Sequence, residues 1–359
     1  MTNNGPIRKR LAALVGRTAV LSAIVSLLVG SLSQAQTPQS VTLAWDPSMD
    51  PTVVGYRVHY GNSSGNLSQT IDVGNATTAT VANLTPGEYF FVVTAYNSAG
   101  LESAPSTVVT FPGTKDFLGN GQADLVWEDT TTGACAIWIM RNGVLAYGTY
   151  LPTVPTQWRI AGVADFLGTG QADLVWENTT TGEREICIMQ NGAPIYSIDL
   201  PTVPSQWHIV GAADFLGTGQ ADLVWENTTT GEREIWIMQN DAPIYSIDLP
   251  TVPTQWHIAG AADFLGTGQA DLVLENTTTG EREIWIMQNG APVYSIGLPT
   301  VPNQWRIAGA ADFLGTGQAD LVWENTTTGE REIWIMQNGA SVYSIGLPTV
   351  PTEWQILNH

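Results

Sequence analysis

The nine residues DFLGTGQAD at positions 165–173 recur unchanged at 214, 263 and 312, and once as DFLGNGQAD at 116. Each copy begins 49 residues after the one before it, and the fifth copy runs to residue 359. A fixed period of this size is typical of solenoids, propellers and other arrays, in which each repeat is one supersecondary unit. The sequence therefore predicts that residues 116–359 are built from five equivalent units.

Each unit contains four segments with strand character. In the third copy they are ADLVWEN at 221–227, REIWIMQ at 233–239, PIYSIDL at 243–249 and WHIAGAADF at 256–264. The runs LVW and IWIM are apolar at consecutive positions, so both faces of these strands are expected to be buried, as in a sheet packed between two others. The fourth segment is rich in glycine and alanine, which suits the innermost strand of sheets that converge on a narrow axis. This pattern predicts a β-propeller.

The two ends of the array predict how it closes. The first copy lacks a preceding fourth strand, because VVTFPGTK stands there, whereas the last copy ends in such a strand, EWQILNH at 353–359. If the C-terminal strand supplies the inner strand of the first blade, a five-bladed ring closes without a bare inner edge. The alternative is an open array that is capped by the N-terminal module or by another chain.

Residues 38–112 form a different module, predicted to be a β-sandwich because short alternating strands are separated by turn signals such as GNSSGN and NSAG. The predicted strands are VTLAW at 41–45, VGYRVHY at 54–60, TATVANL at 78–84, EYFFVVTAY at 88–96 and STVVTF at 106–111. With the repeats, this makes the whole protein all-β.

The sandwich module resembles a fibronectin type III domain. The resemblance rests on Trp45 in an early strand, on Tyr56 and Tyr60 in the next, and on LTPGEY at 84–89, where Tyr89 matches the tyrosine-corner residue of that family. No RGD adhesion tripeptide is present in the sequence. The favoured role of this module is a spacer that holds the repeats away from a surface.

The first 35 residues read as a secretory leader. They contain four basic residues and no acid, followed by the apolar run TAVLSAIVSLLVG and a small-residue cleavage site at Ser33-Gln34-Ala35. An uncleaved membrane anchor is the alternative. With cleavage after Ala35, we expect a secreted or cell-surface protein that does not insert into the membrane.

The charge excludes some partners. The chain carries 13 basic and 33 acidic residues, a net charge of −20, and removal of the leader with its four basic residues makes this −24. A chain of this charge repels nucleic acid and anionic lipid surfaces.

Cys135 and Cys187 would suggest a disulfide in an exported protein. Their places in the repeat are an odd number of residues apart, which puts the side chains on opposite faces of equivalent strands, so we expect two unpaired thiols.

The stretch AGVADFLGTGQADLVWENTTTGEREIWIM resembles the FG-GAP or VCBS-type repeat of bacterial secreted proteins, whose relatives form the propeller of integrin α-subunits. The resemblance implies a β-propeller with a cation loop, D-x-[DN]-G-[DN]-G-x-x-D, in each blade, and roles in adhesion or recognition. The candidate calcium ligands are Asp116, Asn120 and Asp124 in the first copy, Asp165, Thr169 and Asp173 in the second, Asp214, Thr218 and Asp222 in the third, Asp263, Thr267 and Asp271 in the fourth, and Asp312, Thr316 and Asp320 in the fifth.

These loops depart from the family pattern. Position 3 is leucine in every copy, and position 5 is asparagine only in the first and threonine in the others. Calcium prefers six to eight oxygen ligands, so the sequence predicts at most weak binding, strongest at the first loop, where Asn120 offers the better oxygen. The alternative is that the first aspartate accepts backbone hydrogen bonds across the turn while the leucine packs below it.

The sequence has no recognisable catalytic motif, and we expect no enzymatic activity. His208 and His257 occupy a place filled by arginine or glutamine in other copies and are interpreted as solvated strand residues. Glutamates that flank an arginine, such as Glu183 and Glu185, are interpreted as making a surface ion pair with the neighbouring blade. Equivalent repeated sites suit multivalent binding better than one asymmetric active site.

Two sets of aromatic residues recur in the units and bear on the choice of ligand. They are Trp158, Trp207, Trp256, Trp305 and Trp354 after the PTVP loop, and Tyr147, Tyr196, Tyr245, Tyr294 and Tyr343 in the preceding strand. The favoured interpretation is that these rings close the grooves between blades. Alternatively, they stack on sugars beside a polar loop such as ENTTTG. We therefore predict a multivalent binding or adhesion protein for a protein or surface ligand, with a lectin as the alternative; repeat length and blade number resemble those of tachylectin-type lectins, which bind N-acetylated sugars.

Overall fold

The computed structural model describes residues 39–45, 47–62, 66–84, 89–106, 108–111, 115–239 and 241–357. The predicted leader lies outside these residues. Every regular element in the described residues is a β-strand, which confirms the all-β prediction. That part of the chain accordingly contains no helix capable of spanning a membrane.

The N-terminal module is a sandwich of two antiparallel sheets. One sheet pairs β1 with β4, and the other has the order β3-β2-β5-β6. The bounds are β1 Gln39–Ala44, β2 Val53–Gly61, β3 Gln69–Gly74, β4 Thr78–Leu84, β5 Tyr89–Asn97 and β6 Val109–Phe111. The core between the sheets contains Leu43, Val58, Val81 and Phe91. The sequence did not predict β3, because QTIDVG is an edge strand without a buried face.

The repeats form five four-stranded antiparallel sheets, the blades. Blade 1 contains β7 Leu125–Asp129, β8 Cys135–Arg141 and β9 Val144–Leu151; blade 2 contains β10 Trp158–Ala164, β11 Asp173–Asn178, β12 Arg184–Gln190 and β13 Ala193–Asp199; blade 3 contains β14 Trp207–Ala213, β15 Asp222–Asn227, β16 Arg233–Gln239 and β17 Ala242–Leu249; blade 4 contains β18 Trp256–Ala262, β19 Asp271–Asn276, β20 Arg282–Gln288 and β21 Ala291–Gly297; blade 5 contains β22 Trp305–Ala311, β23 Asp320–Asn325, β24 Arg331–Gln337 and β25 Ala340–Gly346. We call the four strands of a blade A to D, from the axis outward.

The C-terminal strand closes the ring, as the sequence predicts. β26, Trp354–Ile356, pairs with β7 and supplies strand A of blade 1, with Trp354 opposite Asp129 and Ile356 opposite Trp127. A belt of five backbone hydrogen bonds links successive A–B loops. Its members are Ala172 N to Asp116 O (2.8 Å), Ala221 N to Asp165 O (2.9 Å), Ala270 N to Asp214 O (2.8 Å), Ala319 N to Asp263 O (2.7 Å) and Ala123 N to Asp312 O (2.9 Å). The last bond joins blade 5 to blade 1.

Five apolar clusters fill the spaces between neighbouring blades, including the space between blades 5 and 1. The B and C strands contribute side chains to the clusters on both sides, which explains why they read as continuous apolar runs. The A strands approach each other closely at the axis. A Cβ atom at Gly260 would lie 3.3 Å from the backbone nitrogen of Ala310 in the next blade, so small residues are required there.

Both cysteines are free and buried. They nevertheless share one apolar cluster, between blades 1 and 2. The prediction of two unpaired thiols is confirmed, but the two side chains are not kept apart by lying on opposite faces, because opposite faces of consecutive blades meet. Cys135 lies on the face of blade 1 that packs on blade 2, and Cys187 lies on the face of blade 2 that packs on blade 1.

The propeller has two ends, which we call the loop face, with the A–B loops and C–D turns, and the turn face, with the B–C turns and D–A loops. The sandwich contacts the loop face, where Val108 N donates to Gly266 O at 2.7 Å. Lys115 enters the axis at this end and donates to the carbonyls of Ala261 (3.2 Å) and Ala310 (2.8 Å). Burial lowers the pKa of Lys115 to about 7.

Candidate functional site

The A–B loops are hydrogen-bonded turns built around their first aspartate. Asp116 Oδ1 accepts the N–H groups of Leu118 (2.9 Å) and Gly119 (2.9 Å), and its Oδ2 accepts that of Gly121 (2.6 Å). Asp214 and Asp263 accept three equivalent bonds. Asp165 and Asp312 also accept three, with the N–H of Thr169 or Thr316 in place of that of the first glycine. Gly119 and Gly121 have φ values of 69° and 87°, which favour glycine and explain why this spacing is repeated.

The last aspartate of each loop ties the loop to strand C. Asp124 Oδ2 accepts the N–H of Phe117 at 3.0 Å, and its Oδ1 accepts that of Met140 at 2.9 Å. The same pair of bonds is made by Asp173, Asp222, Asp271 and Asp320. Burial raises the pKa of Asp124 to about 7 and that of Asp173 to about 8.

These loops do not fit a calcium cage as they are folded. Both carboxylates already accept backbone N–H groups, and the third position packs a leucine against the inter-blade core, for example Leu118 and Leu216. The fifth position is also engaged, since Asn120 Oδ1 accepts the N–H of Gln122 at 3.2 Å. Within the described residues, no group of three or more acidic, histidine or cysteine side chains is placed to hold a metal ion. Weak calcium binding stays a prediction, and the hydrogen-bonded turn accounts for the loop geometry.

An arginine and a glutamate clamp each blade to the next, a role that the sequence analysis missed. Between blades 2 and 3, buried Arg184 donates to the carbonyl of Trp207 and lies 4.9 Å from the ring centroid of Trp225. Buried Glu177 lies 3.4 Å from Arg184 and accepts the N–H of Ile209 at 3.3 Å. The arginine between Glu183 and Glu185 is thus buried and paired with Glu177, and the surface ion pair of the two flanking glutamates with the neighbouring blade stays a prediction. Arg233, Arg282 and Arg331 make the same carbonyl contact to the blade that follows.

His208 and His257 belong to the same clamps. Nδ1 of His208 lies 2.6 Å from Glu177, and Nδ1 of His257 lies 2.8 Å from Glu226. The hydrogen bond that His257 donates to the Glu226 carboxylate raises the pKa of His257. The two histidines are half-buried partners of buried carboxylates, so their interpretation as simple solvated residues is wrong. Blade 1 has Cys135 at the arginine position, and Glu128 keeps the link to the next blade by accepting the N–H of Ile160 at 3.2 Å.

The recurrent aromatic residues divide into two groups. The tryptophans at the start of strand A are partly buried and pack in the inter-blade clusters, in agreement with the favoured interpretation. Among the strand D tyrosines, Tyr196 also packs against an inter-blade cluster, whereas Tyr147, Tyr245, Tyr294 and Tyr343 are 51–54% exposed. Their rings point outward and do not close the grooves.

A surface pocket adjoins one of these tyrosines. It has a volume of about 350 Å³ and is lined by Tyr245 and Ile244, by Thr218 and Gln220 of the A–B loop, and by Gln239 and neighbouring residues. The polar loop beside the tyrosine is therefore the A–B loop on the loop face, and the expected neighbour, the ENTTTG turn, lies at the opposite end of the blade. The pocket combines an aromatic ring with amide and hydroxyl groups.

Comparison with known proteins supports the predicted fold family of the N-terminal module. The family model of the fibronectin type III domain matches residues 30–111. A Kelch domain-containing protein from Saccharolobus solfataricus is 41% identical over 75 residues, which cover 21% of this chain and 10% of the relative. A second Kelch domain-containing protein, from Sulfurisphaera tokodaii, is 34% identical over 115 residues, which cover 29% of this chain and 15% of the relative.

Solved structures with similar folds include β-propellers. The Dos1 propeller has a TM-score of 0.35 at 10% identity and covers 74% of this chain and 83% of its own. The Cps50 propeller domain from Myceliophteria thermophila has a TM-score of 0.33 at 15% identity, with coverage of 71% and 79%. An auxiliary nutrient binding protein from Bacteroides thetaiotaomicron has a TM-score of 0.35 at 9% identity, with 82% of both chains covered. Because these scores are below 0.5, the propeller fold rests on the strand pairing described above.

Proposed function

We propose that this chain is a secreted or cell-surface, non-enzymatic binding protein that uses a rigid ring of near-identical blades for multivalent recognition of a protein or surface ligand. The fibronectin type III module is proposed to act as a spacer on the loop face. Weak contacts at equivalent places on several blades can add to a strong attachment when the ligand is repeated.

One observation carries this proposal: the outermost strands display the same aliphatic and tyrosine pair on consecutive blades. The pairs are Ile244 with Tyr245, Val293 with Tyr294, and Val342 with Tyr343, and each of these side chains is 51–59% exposed. Exposed apolar side chains in contiguous groups mark interaction sites more often than scattered ones do. Tyrosine is also enriched at interfaces, since its ring supplies contact area and its hydroxyl a hydrogen bond.

The test compares binding with the number of intact pairs. We would probe arrays of extracellular matrix proteins and glycans with the chain, then with Tyr245→Ser, Tyr294→Ser and Tyr343→Ser singly and together. When the ligand is immobilised, multivalent binding predicts that retention falls steeply with each added substitution. When a single copy of the ligand binds in solution, each substitution should remove one site and leave the affinity of the other sites unchanged. Retention that is unchanged in the triple variant would contradict the proposal.

The second candidate is a lectin, favoured by the pocket beside Tyr245. A sugar ring could stack on the tyrosine while its hydroxyls bond to Thr218, Gln220 and Gln239, which line the same pocket. The glycan array separates the two candidates, because a lectin must bind glycans and lose that binding in Gln220→Ala. Repeating the array with a calcium chelator would show whether the A–B loops take part.

A further inference from the structure

The outer part of three blades carries a tryptophan and a glutamate side by side on strand C, which we call the Trp–Glu patch. In blade 3, Trp236 Nε1 donates to Glu234 Oε1 at 2.8 Å, and the corresponding bonds in blades 4 and 5 are both 2.7 Å. Trp236 and Glu234 are both partly exposed, as is the equivalent pair in blade 5, whereas in blade 4 the glutamate is partly exposed and Trp285 is buried. The bond holds the carboxylate beside the edge of the indole ring, so charge and aromatic surface are presented together.

The patch continues onto the outermost strand. In blade 3, Glu234 stands directly opposite Asp248, and Trp236 stands opposite Ser246. Residues opposite each other in an antiparallel pair share one face of the sheet. Blade 2 repeats the acidic pairing, with Glu185 opposite Asp199. In blades 4 and 5 the residue opposite the patch glutamate is glycine, so these two patches carry one acid each. Two carboxylates in this relation repel each other, and among the described residues no arginine, lysine or histidine forms an ion pair with Glu234 or Asp248.

The propeller has little positive charge to offer at its surface. It contains seven arginines and no lysine, and four of the arginines are buried in the inter-blade clamps. Three arginines remain for the surface, against exposed glutamates on each B–C turn from Glu183 to Glu330 and the acids of the patches. A positively charged partner would therefore meet a consistently negative rim.

We propose that the Trp–Glu patches bind an extended, basic polypeptide segment. Strand D is the last strand of each sheet, so its outer edge carries backbone groups that a further strand can pair with. A segment laid along this edge would place alternate side chains on the patch. Lysine or arginine at those positions would neutralise the carboxylates and lie against the indole as a cation–π contact. This inference rests on the proposed binding function and names the class of its partner.

A second copy of the chain is a poor occupant of this surface. The patches are acidic, and the net charge of the chain is −20, so two such rims repel each other. Charge complementarity therefore favours a partner of opposite sign. The three patches of blades 3, 4 and 5 are consecutive, which suits a basic partner with repeated segments.

The test uses an eight-residue peptide of alternating arginine and threonine, with binding to the full chain measured by calorimetry at physiological salt. Glu234→Gln/Glu283→Gln/Glu332→Gln removes the patch charges but keeps an acceptor for each indole N–H. The matched control, Glu232→Gln/Glu281→Gln/Glu330→Gln, removes the same number of charges two residues earlier, on the B–C turns. We expect the patch variant to bind about tenfold more weakly and the control to stay within about twofold.

The outcomes are distinct. Equal losses in the two variants would mean general charge attraction only and would overturn the inference. It would also be overturned if the peptide failed to bind, or if a glucosamine oligomer bound and the peptide did not. Quenching of tryptophan fluorescence by the peptide in the control but not in the patch variant would support it. If the arrays described above gave a ligand whose binding survives in the patch variant, this inference would fail while the proposed function stood.

Discussion

Replacing Asp241 by glycine should stabilise the propeller. Asp241 occupies the C–D turn of blade 3 at a φ of 68°, where the other blades have glycine at φ values of 73–75°. Its Oδ1 atom is buried and has no hydrogen-bond partner among the described residues. Burial also raises the pKa of this carboxyl group. Blade 3 therefore carries a strained backbone and an unsatisfied acceptor that the other four blades lack.

The size of the effect follows from these two features. A non-glycine residue in a left-handed conformation costs about 1 kcal/mol, with aspartate among the better tolerated. A buried acceptor without a partner costs about 1–3 kcal/mol. We therefore expect Asp241→Gly to raise the free energy of unfolding by about 2 kcal/mol, which for a propeller of this size raises the melting temperature by about 5 °C. Differential scanning calorimetry would measure both.

The gain should depend on pH. Since folding raises the pKa of Asp241, the folded state holds its proton more tightly, and the destabilisation grows as pH rises from the unfolded pKa near 3.8 through the folded one. The advantage of Asp241→Gly should thus be larger at pH 8 than at pH 4. An equal gain at both values would refute the part of the argument based on charge.

The reverse substitution is the control. In Gly290→Asp, the new Cβ would lie 2.5 Å from Cδ1 of Ile247 in the preceding blade, at a φ of 75°. This variant should lose at least as much stability as Asp241→Gly gains. If Asp241→Gly is neutral or destabilising, the reasoning from backbone strain and unsatisfied burial is refuted.

Four further predictions concern the clamps and the loops. Arg331→Met should cost about 1–3 kcal/mol in urea unfolding, because the carbonyl of Trp354 loses its donor while Glu324 keeps Arg306 as its remaining ion-pair partner; an effect below about 1 kcal/mol would contradict the clamp. Cys135→Arg should add about 1–2 kcal/mol by supplying the missing clamp beside Glu128, and a loss would show that the site has no room. Because burial raises the pKa of Asp124 to about 7 and of its equivalents to about 7–8, the melting temperature should fall as pH rises from about 4 to 8; a rise over this range would contradict the assignment. Calcium titration should give dissociation constants weaker than about 1 mM, with the first loop the tightest, and Asn120→Thr should remove that difference.

The propeller could be predicted because its signals are local and repeated. Consecutive apolar residues in strands B and C report burial on both faces, and the small residues of strand A report the axis. The C-terminal strand could be placed because the first copy lacks one. β3 of the sandwich was missed, since an exposed edge strand has no buried face to create a pattern.

The clamps could not be found in this way. Arg184 reaches Trp225 and the carbonyl of Trp207 across a blade boundary, and nothing in the local sequence distinguishes it from an arginine on the surface. The exposure of the strand D tyrosines could not be predicted either, because period-2 alternation does not say which face of an outer strand meets a neighbouring blade. The A–B loop could be interpreted in two ways because aspartate and glycine serve a hydrogen-bonded turn as well as a cation site.

The closing strand also has a consequence for how these molecules could join. Trp354–Ile356 completes a sheet that begins more than 200 residues earlier, and all five blades present nearly the same pairing partner. Within one chain, the short distance between the ends gives this strand a high effective concentration. In a crowded solution or after partial unfolding, the same strand could instead complete the first blade of a neighbour, and a domain-swapped chain of propellers would form without any new contact.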